Sequence, residues 1–484
     1  MTIVVFTPAT ILAILPEILL LVLAGVLLVL DGIWRPSQRR WLGWVSAIGL
    51  ALILGVALVY SRPGAEPQLI FGGTLRHDWT AFAFKVLFLF AAAVTSLLSI
   101  DLKGYGDRGE YYALLLVSVI GMNLMAGAAD LIMLYLAIES TSIPLYVLAG
   151  FMRGRDDSAE AGIKYFLFGA LTSTVMLYGF SLLYGLTGET NLYALAGQLA
   201  EGSFSLPLML AVGSLILVGF GFKIAAVPFH FWTPDVYQGA PTPVTAFIST
   251  ASKAAGFAVL LRFALEVFPG VQAQWTGIVS GLAVATMTVG NLIALAQTDI
   301  KRLLAYSSIA HAGYVLIGVV AVSTLGAASA VFYLVAYVFT NLVAFGVVVL
   351  FARSAGTDQI EAYAGLSRRS PLLALAMMVA LLSLGGMPPF AGFVAKVYVF
   401  AAAVESGLIW LAVVGVLNAI IGLYYYLTVL KVIYLYRSED DDKRIVVPVG
   451  SALALVVCSL GIILVGTFSA PWLEWALTTA ASLF

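Results

Sequence analysis

The sequence predicts an all-α polytopic membrane protein of about fourteen transmembrane helices, and three observations carry that expectation. Of the 484 residues, 62% are hydrophobic and only 10% are charged, whereas a soluble globular domain carries roughly 25% charged residues. Apolar runs long enough to cross a hydrocarbon core about 30 Å thick recur from one end of the chain to the other. Basic residues, finally, fall almost wholly into alternate loops.

The apolar runs place spans at 9–30, 41–61, 80–100, 111–128, 130–152, 163–187, 206–239, 242–267, 275–297, 301–322, 327–352, 371–404, 406–436 and 447–469. The first is expected to remain in the protein, because no basic residue precedes it and no small-residue cleavage site follows. Loops after odd-numbered spans hold fifteen Lys and Arg, from Arg35 to Arg444, whereas loops after even-numbered spans hold only Arg62 and Arg76. One missed or invented span would scramble that alternation. Cytoplasmic loops carry the basic excess, so both termini are expected on the opposite, periplasmic side.

Composition also excludes several functions. The lone Cys458 allows no internal disulfide and cannot by itself build a thiolate metal site or an iron–sulfur cluster. A net charge of -1 offers no basic patch for nucleic acid, and the partner that remains is the lipid bilayer.

Two runs, Leu206 to Gly239 and Pro371 to Val404, are far longer than the ~20 residues needed to cross. Each is interrupted near its middle, by Pro228-Phe229 and by Pro388-Pro389-Phe390. Proline removes a backbone donor and clashes with the preceding turn, so each run reads as two half-helices around an unwound segment. Irregular backbone at membrane depth is tolerated only against protein or a wet cavity. A pair of such segments points to a repeat-built transporter and its ion path.

Seven basic residues lie inside the runs: Lys85, Lys164, Lys223, Lys253, Arg262, Lys396 and Lys431. A charge at mid-bilayer costs at least about 2.5–3.5 kcal/mol, so each needs a reason. Lys85, Lys164, Arg262 and Lys431 lie close enough to a helix end to snorkel. Lys223, Lys253 and Lys396 sit roughly 10 Å or more from their span ends at 1.5 Å per residue, and must face protein or water. Lys223 precedes the break at Pro228, Lys396 follows the break at Pro389, and Lys253 lies among the small residues of ISTASKAAGF.

Among the acids the outlier is Glu139, nine residues into the fifth span, and Lys223 is its expected partner. A fixed buried ion pair that only holds helices together is the alternative, although such pairs often cost as much as they return. Glu17 and Glu266 read as structural. Buried amines release protons more readily than amines in water, and a nearby carboxylate opposes that release, so a moving charge can toggle them. His230, beside the first break, and His311, among serines and a tyrosine in the tenth span, titrate in the right range for a relay. For both, a packing role is the competing reading. His77 lies in a loop. A row of such groups joined by water or hydroxyls would conduct protons without large domain motion.

Three long strings then carry a resemblance: VPFHFWTPDVYQGAPTPVTAFISTASKAAGF from Val227, TDIKRLLAYSSIAHAGY from Thr298 and SLGGMPPFAGFVAK from Ser383. Through them the chain resembles the antiporter-like membrane subunits of proton-pumping NADH:quinone oxidoreductase, respiratory complex I, over nearly its whole length. Of the sister types L, M and N it is most similar to N. The YQGAPTPVTAFIS string and Lys396 argue against M, and the short TTAASLF ending argues against the lateral helix of L.

The resemblance implies two inverted five-helix repeats, helices 4–8 (111–268) and 9–13 (275–437), with discontinuous helices 7 and 12. Helices 1–3 (1–110) precede them, and helix 14 with a C-terminal tail (445–484) follows. It implies proton-translocating roles for Glu139, Lys223, Lys253 and Lys396, in a bacterial inner membrane. It further implies no cofactor or metal in this chain, with NADH, FMN, iron–sulfur clusters and quinone held by partner subunits and the other membrane subunits of the complex as neighbours. A subunit of a multi-subunit cation/proton antiporter with the same fold is the alternative, and a membrane scaffold or lipid-handling protein is a third.

Overall fold

The computed structural model describes residues 7–201, 204–268 and 272–484. The first six residues of the predicted N-terminal segment therefore lie outside the description, as do 202–203 of the first predicted repeat and 269–271 between the two repeats. A short helix α1 (Pro8–Ala13) leads into α2 (Leu15–Ile33) and α3 (Trp41–Tyr60). A small antiparallel hairpin follows, β1 (Gln68–Ile70) against β2 (Leu75–His77), with Leu69 opposite Arg76. Then come α4 (Trp79–Ser99), α5 (Gly109–Gly127), α6 (Leu131–Ala149), α7 (Asp156–Thr187), the short α8 (Leu192–Glu201), α9 (Leu206–Ile224) and α10 (Trp232–Gly239). Helix α11 (Thr242–Phe247) passes through a π-helical stretch, Ile248–Ser252, into α12 (Lys253–Val267). The chain continues through α13 (Gln272–Ala294), α14 (Ile300–Val320), α15 (Thr324–Ala355), α16 (Leu366–Arg369), α17 (Pro371–Gly385), α18 (Ala391–Glu405), α19 (Ile409–Leu435), α20 (Val449–Thr467) and α21 (Ser469–Ala481).

Among the described residues, 13 helices are long and apolar enough to cross a membrane, counting Thr242–Val267 as one. The α17–α18 pair, two short pieces of one run, supplies the fourteenth predicted span. Helix starts are set by capping side chains that satisfy the free N–H groups of a first turn. Asp78 accepts from the Ala81 amide at 2.8 Å, Asp130 from Ile132 at 2.9 Å, Asp299 from Arg302 at 3.0 Å and Ser323 from Gly326 at 3.0 Å.

Burial sorts the helices. In an apolar 18-residue stretch of each helix, every residue of the Thr242–Val267 span is buried, 94% of those in α14 and in α15, and only 28% in α2. Helix α15 is the central strut, packing against α14, α17, α18, α20 and α21. Polar side chains on these inner helices must find partners in protein or water, because lipid cannot reach them.

Both expected discontinuities are present. Helix α9 ends at Ala225 in the left-handed region (φ 60°), where the Ala226 amide donates back to Gly221 O at 2.8 Å. Trp232 Nε1 donates to Phe222 O at 3.2 Å, and the unwound Val227 amide reaches Thr286 Oγ1 at 3.0 Å. Helix α17 ends at Gly386 (φ 82°), a conformation that glycine adopts without strain. Each break contains one cis X-Pro bond, Val227–Pro228 and Pro388–Pro389.

At the second break the half-helices touch. A Cβ added at Gly392 would lie 1.8 Å from Ser383 O, and Ser383 Oγ accepts from the Gly392 amide at 3.1 Å while pairing with Thr340 Oγ1 at 3.0 Å. Gly392→Ala is accordingly expected to destabilise the chain by about 1–3 kcal/mol through overpacking. A lower thermal midpoint of the purified complex in detergent would register it; a parent-like midpoint would show that the joint can yield.

Two features differ from the sequence reading. The predicted C-terminal tail contains a helix, α21, whose 13 residues are too few to cross a membrane. It is fastened to α4, where Thr80 Oγ1 donates to Thr479 O at 2.8 Å, and to the hairpin, where Arg76 Nη2 donates to Ser482 O at 3.0 Å. The π-helical stretch immediately before Lys253 was also not foreseen, and such bulges are frequent at functional sites.

Candidate functional site

Lys223 lies in the last turn of α9, just before the break, and is buried. A cation in the last turn of a helix is favoured by about 0.3–1 kcal/mol. Nζ donates to Ser142 Oγ of α6 at 3.1 Å. The expected partner, Glu139, is not paired with it: no ion pair joins the two, and Glu139 Oε1 makes no hydrogen bond. Glu139 is half-buried at the edge of the exposed stripe of Leu136, Ser140 and Ile143. The lysine therefore meets α6 one turn farther along, at the hydroxyl rather than the carboxylate.

Lys253 opens α12 directly after the π-helical stretch and is 2% exposed. Its Nζ donates to Ser308 O at 2.8 Å and lies 2.5 Å from Ser308 Oγ, which is in turn 3.2 Å from Tyr237 OH. One turn beyond Lys253, Gly256 lets the Lys223 stem pass, since a Cβ there would fall 3.0 Å from Lys223 Cγ. The Lys223 stem thus packs on α12 one turn from Lys253, while the two amines bond different helices, α6 and α14.

His311 occupies the middle of α14. Nδ1 lies 2.7 Å from Tyr333 OH and Nε2 lies 3.2 Å from Tyr426 OH. Tyr426 OH also meets Ser307 Oγ and lies 3.3 Å from Tyr425 OH. Tyr425 donates to Asn291 Oδ1 at 3.0 Å, and Asn291 Nδ2 donates to Tyr314 OH at 3.1 Å. Over the Tyr314 ring, 5.1 Å from its centre, stands Lys396 Nζ. That amine reaches back across the second break to the terminal carbonyls of α17, Leu384 O at 2.8 Å and Gly385 O at 3.2 Å.

The three mid-membrane lysines share one property: each amine is buried and bonds only neutral oxygens, with no carboxylate within ion-pair distance among the described residues. Such an amine carries no fixed counter-charge, and the hydroxyls and imidazole between them can both donate and accept. The chain of groups runs from Tyr237 and Ser308 through Lys253, then from Ser307 through Tyr426 and His311 towards Tyr314 and Lys396. His230 stays apart. It is buried beside the first break, its Nδ1 finds no hydrogen-bond partner, and no side-chain hydrogen bond joins it to the row.

The remaining buried bases depart in part from the snorkelling expectation. Arg262 is 2% exposed and holds Asp78 in two parallel bonds, Nη1 to Oδ2 at 2.8 Å and Nη2 to Oδ1 at 2.9 Å. Its helix end is covered by the hairpin and α8, so it has no route to the interface. Lys85 pairs with Glu17 at 2.8 Å, again inside the protein. Lys164 does remain near the surface, bridging Asp235 at 2.5 Å and Glu160 at 2.7 Å, and Lys431 is exposed beside Tyr436.

A search for charges passes over Tyr237, Ser307, Ser308, Tyr333, Tyr425, Tyr426 and Asn291. The available signal was neutral polarity far from an interface: a tyrosine in mid-span has a hydroxyl that must find a partner there.

Comparison with known proteins places this geometry. Residues 128–422 match the family described as NADH:quinone oxidoreductase/Mrp antiporter, TM. The NADH-quinone oxidoreductase subunit N of Trichlorobacter lovleyi is 44% identical over 468 residues, covering 96% of this chain and 95% of its own. A chain of respiratory complex I from Thermus thermophilus superposes with a TM-score of 0.80 at 36% identity, over 95% of this chain and 98% of that one. A chain of the Mrp complex from Dietzia sp. superposes with a TM-score of 0.85 at 24% identity, over 99% and 98%, and shows the shared fold.

Proposed function

The chain belongs to the NADH-quinone oxidoreductase subunit N family and is a proton-translocating membrane subunit of complex I; from that premise we propose that protons cross it along Lys223, Lys253, His311 and Lys396, governed electrostatically by Glu139. The observation that carries this path is the row of buried amines that meet neutral oxygens alone. A group held without a counter-ion changes charge state when a nearby charge moves, which is the property a relay needs.

His230 enters as a second imidazole beside the first break. Glu139, at the edge of an exposed stripe, is placed to feel charge on a neighbouring membrane subunit as well as on Lys223. Redox energy reaches the chain from partner subunits, which hold NADH, FMN, iron–sulfur clusters and quinone. The chain is a multi-pass membrane protein; a bacterial inner-membrane location with both termini periplasmic is supported by the alternation of Lys and Arg between loops.

We also read 111–268 and 275–437 as inverted repeats, flanked by 1–110 and 445–484. A broken helix in the fourth span of each five supports that division. A cation/proton antiporter shares the fold and is the less supported reading, since the Mrp chain is 24% identical and the complex I chain 36%.

The path is tested by Lys223→Met and Glu139→Gln in the assembled complex. Both are expected to lose most NADH-driven acidification of proteoliposomes; parent-like pumping by either, in a normally assembled complex, removes that residue from the path. Copurifying flavin and iron–sulfur clusters with inhibitor-sensitive NADH oxidation separate this reading from the antiporter.

A further inference from the structure

A second polar pocket lies outside the row, on the side of the even-numbered loops, where α2, α4, α5 and the hairpin meet. It has a volume of about 30 Å³ and its lining includes Glu17, Arg76, His77, Lys85 and Asn123. Lys85 Nζ is 2.8 Å from Glu17 Oε1 and donates to Ala13 O at 2.9 Å. Asn123 is 3% exposed, and neither its Oδ1 nor its Nδ2 meets a protein hydrogen-bond partner. An amide buried with both ends unpaired is costly and calls for a ligand that can donate and accept. Water does both, and the volume suits one or two molecules at roughly 10–15 Å³ each.

We propose that this pocket binds one or two ordered waters between the Asn123 amide and the Glu17–Lys85 pair, and exchanges protons through them with the even-loop surface by way of His77. Burial, and then the Lys85 ammonium, hold the His77 imidazole below its ordinary range, so the ring stays neutral near neutral pH and can accept a hydrogen bond from such a water. The charges around it are Arg76 of the hairpin, Asp78 before α4, and Arg262 and Glu266 of α12, already joined to one another: Arg76 meets Asp78 and Glu266 at 3.1 Å each, and Arg262 meets Asp78. They form a fixed rim, and the Glu17–Lys85 pair with His77 is the part left to respond to water. Every one of the five lining groups named precedes residue 128, where the family match begins, so the pocket lies wholly in front of that match. Hydration stands independently of the proposed function; proton exchange rests on it.

The decisive measurement is a water-resolving structure of the assembled complex. Density within hydrogen-bond distance of both Asn123 amide atoms is expected, and a dry pocket overturns the proposal whatever the complex pumps. Glu17→Gln, which keeps the volume, and His77→Gln are each expected to shift the pH profile of proton release on that side, measured in proteoliposomes. Profiles matching the parent in both variants overturn the exchange role. Failure of Lys223→Met to impair pumping would count against the proposed path and leave the water density unaffected.

Discussion

Lys253→Met is expected to suppress NADH-driven proton translocation by about two orders of magnitude, the loss typical when a positioned proton-transfer group is removed. Lys253 stands at the junction of the row: it lies one turn before Gly256, where the Lys223 stem packs on α12, and its amine grips Ser308, next to Ser307 and so to Tyr426 and His311. Methionine matches the stem in length and leaves Ser308 Oγ bonded to Tyr237, so packing survives while the titrating group does not. Lys253→Arg makes the sharper companion. Guanidinium keeps the charge and the donors but does not deprotonate in proteins, so it is expected to fail as well. Vigorous pumping by the arginine variant would make Lys253 a fixed charge and end its part in the relay.

The second large effect is on assembly. Arg262→Met leaves the Asp78 carboxylate, 0% exposed, with Arg76 as its remaining cation at 3.1 Å, and frees Ala126 O and Tyr193 OH from their Nη contacts at 3.1 and 3.0 Å. Breaking a buried pair from one side costs about 3–5 kcal/mol, whereas removing both charges costs far less. The single variant is expected to be scarce in assembled complexes on native gels, and Arg262→Met with Asp78→Asn to recover much of the parent level. Equal yields of parent and single variant would show that Arg76 suffices.

What was legible in the sequence is what local chemistry dictates. Pro228 and Pro388-Pro389 break helices wherever they sit, and the breaks lie where they were read. Lys223, Lys253 and Lys396 were identified because each is too deep to reach an interface, and all three are buried. What was not legible depends on helix rotation and on distant partners. Glu139 and Ser142 lie on one helix, and only packing decides which of them meets Lys223. Arg262 is 184 residues from Asp78, and nothing local separates that pair from a snorkelling side chain. Tyr426 and Asn291 carry no charge to betray them.

Lys396 hangs from the last carbonyls of a half-helix to which it does not belong. The hold on its charge is therefore set by how far α17 and α18 are apart, and by nothing covalent. Any tilt that draws the stub of α17 away strips the ammonium of its oxygens, and any tilt back restores them. The joint at Gly386 thereby ties the position of a backbone stub to the solvation of a buried amine.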